Sequence, residues 1–171
     1  DGDLYFSANN GVSGNELWHF DGVTSLPVAD IDPGGEFDSS HPAWMTSYAG
    51  ALYFSANDGE GEGNELWRYD GFTVEMVANL NPNPPGPGGD EFLADSNPAY
   101  LTVHDGKLFF FADDGVHGRE LWVCESDSCR MVADIRSSDE FGSNPSGLAV
   151  VRSVERRVGQ EGSSRWSPDH S

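Results

Sequence analysis

Short runs of alternating apolar and polar residues, separated by glycine, asparagine and aspartate, recur along the chain. In the middle of the chain they cover residues 43–48, 51–57, 65–69 and 74–80. Alternation with a period of two between turn residues is typical of β-strands, because successive side chains of a strand point to opposite faces. In the second run even the less apolar face carries Tyr53, which indicates that both faces are covered. The pattern predicts four short strands in this part of the chain.

Three short segments recur about 50 residues apart, which makes the chain an internal repeat. They are a Glu-Leu-Trp triplet, a Val-Ala run that follows each Trp at constant spacing, and a Ser-x-Pro. The segments begin at Glu16, Glu65 and Glu120, at Val28, Val77 and Val132, and at Ser40, Ser96 and Ser143. A repeated antiparallel unit of four strands is the pattern of β-propeller blades. The sequence therefore predicts an all-β fold of repeated four-stranded antiparallel blades, forming part of a β-propeller.

The repeats also set the domain boundaries. A propeller-like domain is expected over residues 1–151, with units at about 1–41, 42–97 and 98–144 and a lone strand at 145–151. Three blades are fewer than the usual four to eight. Closing a ring would therefore require further repeats or association between copies of the chain.

The repeated segment Glu65-Leu66-Trp67-Arg68-Tyr69-Asp70-Gly71, together with its counterpart at residues 16–22, resembles the ELWxxDGT repeat family of large exported bacterial proteins. The closing Thr of that pattern lies one place later here, at Thr24 and Thr73, and Glu125-Ser126 replaces Asp-Gly in the third copy. The resemblance implies a propeller-like repeat on an exported, bacterial protein. It implies no particular activity.

The segment at residues 152–171 departs from the repeat. It is rich in arginine and is similar at most positions to the conceptual translation of a common sequencing-library adapter. We interpret it as a non-native or disordered tail, and no site is built on its Trp166 or His170.

The overall charge narrows the classes of partner. The chain has 29 acidic residues against 9 Lys and Arg, which gives a net charge of −20. Such a surface repels phosphate backbones, so nucleic acid is not expected as a partner. The chain also has no apolar run long enough for membrane insertion and no leader at its first residues. A secreted or cell-surface protein is expected, with its signal peptide outside this sequence.

Two cysteines, Cys124 and Cys129, replace the residues that flank the turn between the third and fourth strands in the middle copy. Those positions should face each other across the hairpin, close enough for a disulfide. A disulfide points to an oxidising compartment and so favours export.

The repeated glutamates are a first candidate for chemistry. Paired carboxylates can hydrolyse glycosidic bonds, but catalysis needs two carboxyl groups in dissimilar environments. Equivalent positions in successive blades argue instead for a structural role, in which each carboxylate accepts hydrogen bonds from the N–H groups of its Gly-rich loop. This interpretation covers Glu16, Glu65 and Glu120.

The tryptophans divide into two groups. The repeated Trp18, Trp67 and Trp122 are expected to pack between blades, because an indole buries a large apolar area. Trp44 has no tryptophan counterpart, since Tyr100 and Gly147 stand at the equivalent positions. It is therefore the better ligand candidate.

Acidic residues concentrate in the loops between the second and third strands and in the linkers at about 30–38, 90–95 and 134–140. In an antiparallel unit these segments emerge on one face, so that face is acidic. Such oxygen-rich loops could bind Ca²⁺, although none has EF-hand spacing. The candidate ligands are Asn57, Asp58, Asp113 and Asp114. The alternative is a solvated acidic rim without metal.

Together these features predict a non-catalytic extracellular binding or scaffolding module that presents an acidic loop face to a protein or glycan at the cell exterior. No cofactor is expected apart from Ca²⁺. One alternative is a fragment of a propeller hydrolase or lyase that acts on polysaccharide. Another is a purely structural repeat of an adhesin or matrix protein.

Overall fold

The computed structural model describes residues 2–35, 38–83, 94–126, 128–137 and 142–151. All regular secondary structure in these residues is β-strand, in three separate antiparallel sheets. The prediction of an all-β fold with antiparallel sheets is confirmed. No helix in the described ranges is long and apolar enough to cross a bilayer. The predicted tail at 152–171 lies outside the described residues, as do parts of the acidic linkers.

Sheet 2 is the complete middle unit. Its strands follow the chain in order as a meander: β4 (Ala43–Tyr48), β5 (Ala51–Ala56), β6 (Glu65–Tyr69) and β7 (Val74–Ala78). The first and third strands have the predicted bounds. The fourth was predicted to reach Leu80 but ends at Ala78, because the N–H of Leu80 donates to the Glu65 carboxylate instead of to a neighbouring strand.

Sheets 1 and 3 repeat this arrangement. Sheet 1 has three strands, β1 (Leu4–Asn9), β2 (Asn15–Phe20) and β3 (Ser25–Ala29). Sheet 3 has four strands, β8 (Ala99–His104), β9 (Lys107–Asp113), β10 (Arg119–Glu125) and β11 (Ser128–Ala133). Sheet 1 thus corresponds to the second, third and fourth strands of the other two.

The same irregularities recur in each unit. The register between the third and fourth strands shifts at Leu17/Trp18, at Leu66/Trp67 and at Leu121/Trp122. The register between the first and second strands shifts at Ala43/Thr46 and at Ala99/Thr102. Bulges bend a strand and re-aim its side chains, so their repetition shows that the three copies fold alike down to local backbone geometry.

Sheet 2 is buried on both faces, as its sequence pattern indicated. One face packs on sheet 1 through Phe54, Ala56 and Trp67, which surround the buried Leu17 and Ile31. The opposite face packs on sheet 3 in a second cluster that includes Tyr48, Tyr53, Leu66, Leu80, Leu101, Leu108, Phe110, Ala112, Trp122 and Cys124. Removing this much apolar surface from water is the main stabilising contribution to the fold.

A disulfide joins Cys124 and Cys129 across the β10–β11 hairpin, as predicted. The two residues are direct cross-strand partners with a Cα–Cα distance of 4.0 Å. Cys124 also belongs to the cluster between sheets 2 and 3, so the bridge contributes to packing as well as to the hairpin.

Residues 145–151 were expected to form a lone strand. The structure assigns them no strand, because no other strand in the described residues pairs with them. A strand needs a neighbour to bond its N–H and C=O groups. Gly147 nevertheless has a φ of 72°, close to the 56° and 60° of the equivalent Trp44 and Tyr100. The segment therefore keeps part of the backbone form of a first strand.

Candidate functional site

Each repeated glutamate binds the linker between its own sheet and the next unit. In sheet 2, Oε2 of Glu65 accepts hydrogen bonds from the N–H of Leu80 at 2.9 Å and from the hydroxyl of Ser96 at 2.5 Å. Leu80 follows the last strand of the sheet, and Ser96 belongs to the Ser-x-Pro that opens the next unit. The carboxylate therefore fixes both ends of the linker.

The other two copies show related contacts. Glu16 accepts hydrogen bonds from the N–H of Ile31 at 2.9 Å, and from the N–H and hydroxyl of Ser40 at 2.9 and 2.5 Å. Glu120 accepts from the N–H and hydroxyl of Ser143 at 2.6 and 2.5 Å. We expected these carboxylates to bind the Gly-rich loop beside them. The contacts lie in the linkers instead.

The pKa of Glu65 is shifted by its surroundings. Burial raises the pKa of Glu65 to about 7, although the hydroxyl of Ser96 and the N–H of Leu80 act to lower it. Its Oε1 has no hydrogen-bond partner of normal geometry in the described part of the chain. The N–H of Ser96 donates to the carbonyl of Asn64 at 3.1 Å. The effect of burial on the pKa outweighs that of the hydrogen bonds, which favours the neutral acid.

The repeated tryptophans have unequal surroundings. Trp67 packs between sheets 1 and 2, and Trp122 packs between sheets 2 and 3, where its Nε1–H donates to the carbonyl of Ala112 at 3.1 Å. Trp18 lies on the far side of sheet 1 and is partly exposed, in a groove that Glu16 and Pro27 also line. The repeated tryptophan is thus buried in sheets 2 and 3, where the preceding sheet packs against it. In sheet 1 it remains partly exposed.

The four candidate metal ligands, Asn57, Asp58, Asp113 and Asp114, form two equivalent pairs in loops of different sheets. Each accepts a hydrogen bond through Oδ1 from the N–H two residues ahead, at 2.8, 3.0, 2.7 and 3.0 Å respectively. These are turn-stabilising contacts within each loop. Among the described residues no group of three or more His, Cys, Asp or Glu is placed to hold a metal ion.

Asp114 makes a further contact with His117. The carboxylate accepts hydrogen bonds from the N–H and from Nδ1 of His117, both at 2.7 Å. Burial acts to raise the pKa of Asp114, but the bonds from His117 outweigh it and the pKa is lowered. The same side-chain hydrogen bond raises the pKa of His117. This pair rigidifies the loop between β9 and β10.

The acidic loops lie against the linkers. The N–H of Asn64 donates to Oδ1 of Asp95 at 2.6 Å, and Nδ2 of Asn83 donates to the carbonyl of Gly115 at 3.3 Å. At Gly63 a Cβ atom would lie 2.8 Å from the backbone N of Asp95, so only glycine permits this approach. The described parts of these loops and linkers thus lie together at one end of the sheets.

Two aromatic side chains stack at that end. The rings of Trp44 and Tyr100 have centroids 4.5 Å apart and planes inclined by 31°, and the Tyr100 ring meets Phe111 edge-on at 5.7 Å. Trp44 remains 46% exposed and Tyr100 remains 36% exposed. Trp44 was the ligand candidate of the sequence, and the structure places it beside its own repeat counterpart.

These rings border a cleft of about 600 Å³, which we call the aromatic cleft. Its lining is Ala43, Trp44, Ser55, Asn64, Asn97, Pro98, Ala99, Tyr100, Arg119, Asn144, Pro145 and Ser146. Arg119 donates through Nη1 to the carbonyl of Asn97 at 3.1 Å, and its guanidinium lies 6.0 Å from the centroid of the Phe111 ring. Burial lowers the pKa of Arg119. The cleft therefore combines aromatic faces with amide groups and one half-buried guanidinium.

The backbone beneath the two rings is left-handed. Trp44 has a φ of 56° and Tyr100 a φ of 60°, a conformation that costs of order 1 kcal/mol or more for a side chain of this size. Glycine adopts it without strain, as the equivalent Gly147 does at 72°. Two large rings thus occupy strained positions although neither is buried, so burial does not explain their presence.

The sequence pointed to Trp44 but missed Tyr100, Arg119 and Asn97. Comparing the copies position by position gives the only signal: Tyr100 stands where Trp44 does, and Arg119 stands where Asn64 does. Their meeting in one cleft depends on the packing of sheet 3 against sheet 2. No protein-family model, curated protein or solved structure matches this chain.

Proposed function

We propose that this protein is a non-catalytic extracellular binding module that holds a neutral carbohydrate in the aromatic cleft, on a β-propeller-like frame. The observation that carries the proposal is the stacked and half-exposed pair of Trp44 and Tyr100 on left-handed backbone. Strained residues persist where function retains them. Two exposed aromatic rings at the mouth of a cleft can stack against the apolar face of a sugar ring.

The polar lining supports the choice of ligand. The amides of Asn64 and Asn97 and the guanidinium of Arg119 are directional hydrogen-bonding groups suited to hydroxyl groups. A few convergent polar groups among aromatic walls are typical of small-ligand sites. The net charge of −20 disfavours polyanionic glycans, which makes a neutral saccharide the better fit.

The buried glutamates support a non-catalytic role. Glu16, Glu65 and Glu120 each accept hydrogen bonds from linker N–H groups and a serine hydroxyl, and none of them lines the aromatic cleft. The disulfide at Cys124–Cys129 supports an oxidising location outside the cytosol. Recognition by side chains on a rigid sheet scaffold needs no turnover.

A glycan array of neutral and uronic-acid oligosaccharides, followed by calorimetric titration of any ligand found, tests the proposal. Trp44→Ala should weaken binding of a neutral glycan by about 30-fold, as truncation of a central aromatic contact does. The matched control is Phe72→Ala, since Phe72 is an exposed aromatic residue outside the cleft. Absence of neutral-glycan binding, equal affinity in the two variants, or cleavage of the glycan would contradict the proposal.

A further inference from the structure

The chain forms the same sheet-to-sheet interface twice. In each case one sheet contributes a face centred on leucine, with Leu17 in sheet 1 and Leu66 in sheet 2. The next sheet contributes a face centred on tryptophan, with Trp67 in sheet 2 and Trp122 in sheet 3. We call these the leucine face and the tryptophan face. Every sheet has one of each on opposite sides.

The leucine face of sheet 3 has no sheet against it in the described residues. Its clearest mark is Ile135, which is 66% exposed, whereas the equivalent Ile31 and Leu80 are each 8% exposed. Ile31 and Leu80 are covered by the following sheet. Val132 on the same face is also exposed, and Phe109 and Leu121 are only partly buried.

The tryptophan face of sheet 1 is uncovered in the complementary way. Trp18 stands where Trp67 and Trp122 are buried, yet it remains partly exposed. Leu4 on the same face is exposed, and Phe6 is partly exposed, although its counterparts in sheets 2 and 3 are buried. The structure thus presents both halves of an interface that it elsewhere forms twice.

Sheet 1 also has a free edge. In the described part of the chain no strand pairs with the outer edge of β1, where β4 and β8 stand in the other sheets. A groove of about 460 Å³ lies there, lined by Asp3 and Tyr5 of the free edge and by Met45 and Ser47 of β4. The position that a first strand would take beside β1 is therefore unoccupied in the described residues, and the neighbouring strands line it.

The segment at residues 142–151 has the features of such a first strand. Ser143 is bound by Glu120 as Ser96 is bound by Glu65. The φ of Asn144 is 49°, matching 47° at the equivalent Asn97. The segment then runs beside β8 and β9, where Leu148 to Val151 contact a shallow cavity with Thr102, His104 and Phe109.

We infer that the occupant of both faces is a second copy of this chain. The leucine face of sheet 3 packs on the tryptophan face of sheet 1 in the other copy, and residues 146–151 pair with β1 of that copy as its first strand. Two copies related by a twofold axis make this contact twice and close a ring of six sheets, within the four to eight blades that propellers contain.

The internal repeats give the register of this pairing. In sheet 2 the partners are Ala43 with Ser55 and Ser47 with Leu52. The equivalent pairs between copies are Ser146 with Ser7 and Val150 with Leu4. The N–H of Asn57 donates to the carbonyl of Ser40 at 2.9 Å inside the chain. Its counterpart between copies is the N–H of Asn9 donating to the carbonyl of Ser143.

Analytical ultracentrifugation of the whole chain tests the inference, and it is independent of ligand binding in the aromatic cleft. The expected mass is that of two chains, with tighter association at high salt because both copies are strongly acidic. Ile135→Asp should abolish the two-chain species. Phe72→Asp is the matched control, since Phe72 is an exposed residue on a turn outside both faces. Circular dichroism verifies that both variants fold.

Disulfide trapping tests the register. A variant with Leu4→Cys, mixed under oxidising conditions with a separate variant carrying Val150→Cys, should give a covalent pair on a non-reducing gel. Leu26→Cys mixed with Val150→Cys should not, because Leu26 lies on β3, away from the free edge. A monomer at all concentrations, a two-chain species that survives Ile135→Asp, or equal trapping at Leu26 would overturn the inference.

Discussion

The hydroxyl of Ser96 lies 2.5 Å from Oε2 of Glu65 and ties the opening of one unit to the sheet of the unit before it. The two residues are 31 positions apart in the chain, and both are buried. A carboxylate in this place holds the linker against the sheet.

Removing the Glu65 carboxylate should destabilise the fold. Glu65→Ala leaves the N–H of Leu80 buried without its acceptor, which costs about 2 kcal/mol or more in the free energy of unfolding. Urea denaturation measures the loss. Glu75→Ala is the control, because the exposed Arg68–Glu75 ion pair should contribute less than about 1 kcal/mol. Equal effects of the two substitutions would contradict the structural role of Glu65.

Glu65 should also make stability depend on pH. Its pKa is about 7 in the folded protein against an ordinary value of 4.5. Its contribution is therefore fully present below pH 4.5 and is lost as the pH rises through 7, by up to about 3 kcal/mol. Glu65→Gln mimics the neutral acid and should flatten this decline.

Comparing wild type with Glu65→Gln isolates the contribution of Glu65 to the pH dependence of stability. The raised pKa of His117 changes stability in the same direction but is common to both. Urea midpoints recorded from pH 4.5 to 8 for wild type and Glu65→Gln give the difference. Parallel curves would show that Glu65 does not titrate in this range.

The disulfide should stabilise the β10–β11 hairpin modestly. Closing the short loop between Cys124 and Cys129 contributes about 2 kcal/mol in the chain-entropy model. Unfolding in urea with and without a phosphine reductant measures the difference. Mass spectrometry of the protein produced in an oxidising compartment should show no free thiol, and recovery of two free thiols would contradict an oxidised bridge.

The backbone strain beneath Trp44 predicts an inverted order for two small substitutions. Trp44→Gly should be more stable than Trp44→Ala by about 1 kcal/mol, because glycine adopts the left-handed φ of 56° freely. Both variants lose the ring contact with Tyr100, so that loss cancels in the comparison. Thermal and urea unfolding supply the measurement. An alanine variant equal to or more stable than the glycine variant would exclude strain at this position.

Several features of the fold could be predicted from the sequence because their causes are local. Period-two alternation and turn residues located β4 to β7 within two residues, since both signals act within a single hairpin. The position of Cys124 and Cys129 around one turn was enough to pair them.

The candidate site was less accessible from the sequence, because its parts come from distant segments. Glu65 was predicted to have a structural role, but its partners Leu80 and Ser96 reach it only when the linker folds back over the sheet. Trp44 was singled out as an unmatched residue. The contact between Trp44 and Tyr100 arises because β4 packs beside β8. The pattern of side chains along the sequence does not specify that packing.

What the sequence by itself determined is the unit: four strands, their order, their turns and a disulfide, all set by interactions within one hairpin or meander. Only the tertiary structure decided how units meet. The burial of Trp67, the partial exposure of Trp18 and, among the described residues, the lack of a strand partner for residues 145–151 depend on which sheet lies alongside. Hydrophobic burial is non-directional, so equivalent residues of the copies differ in exposure according to whether a neighbouring sheet excludes water from them.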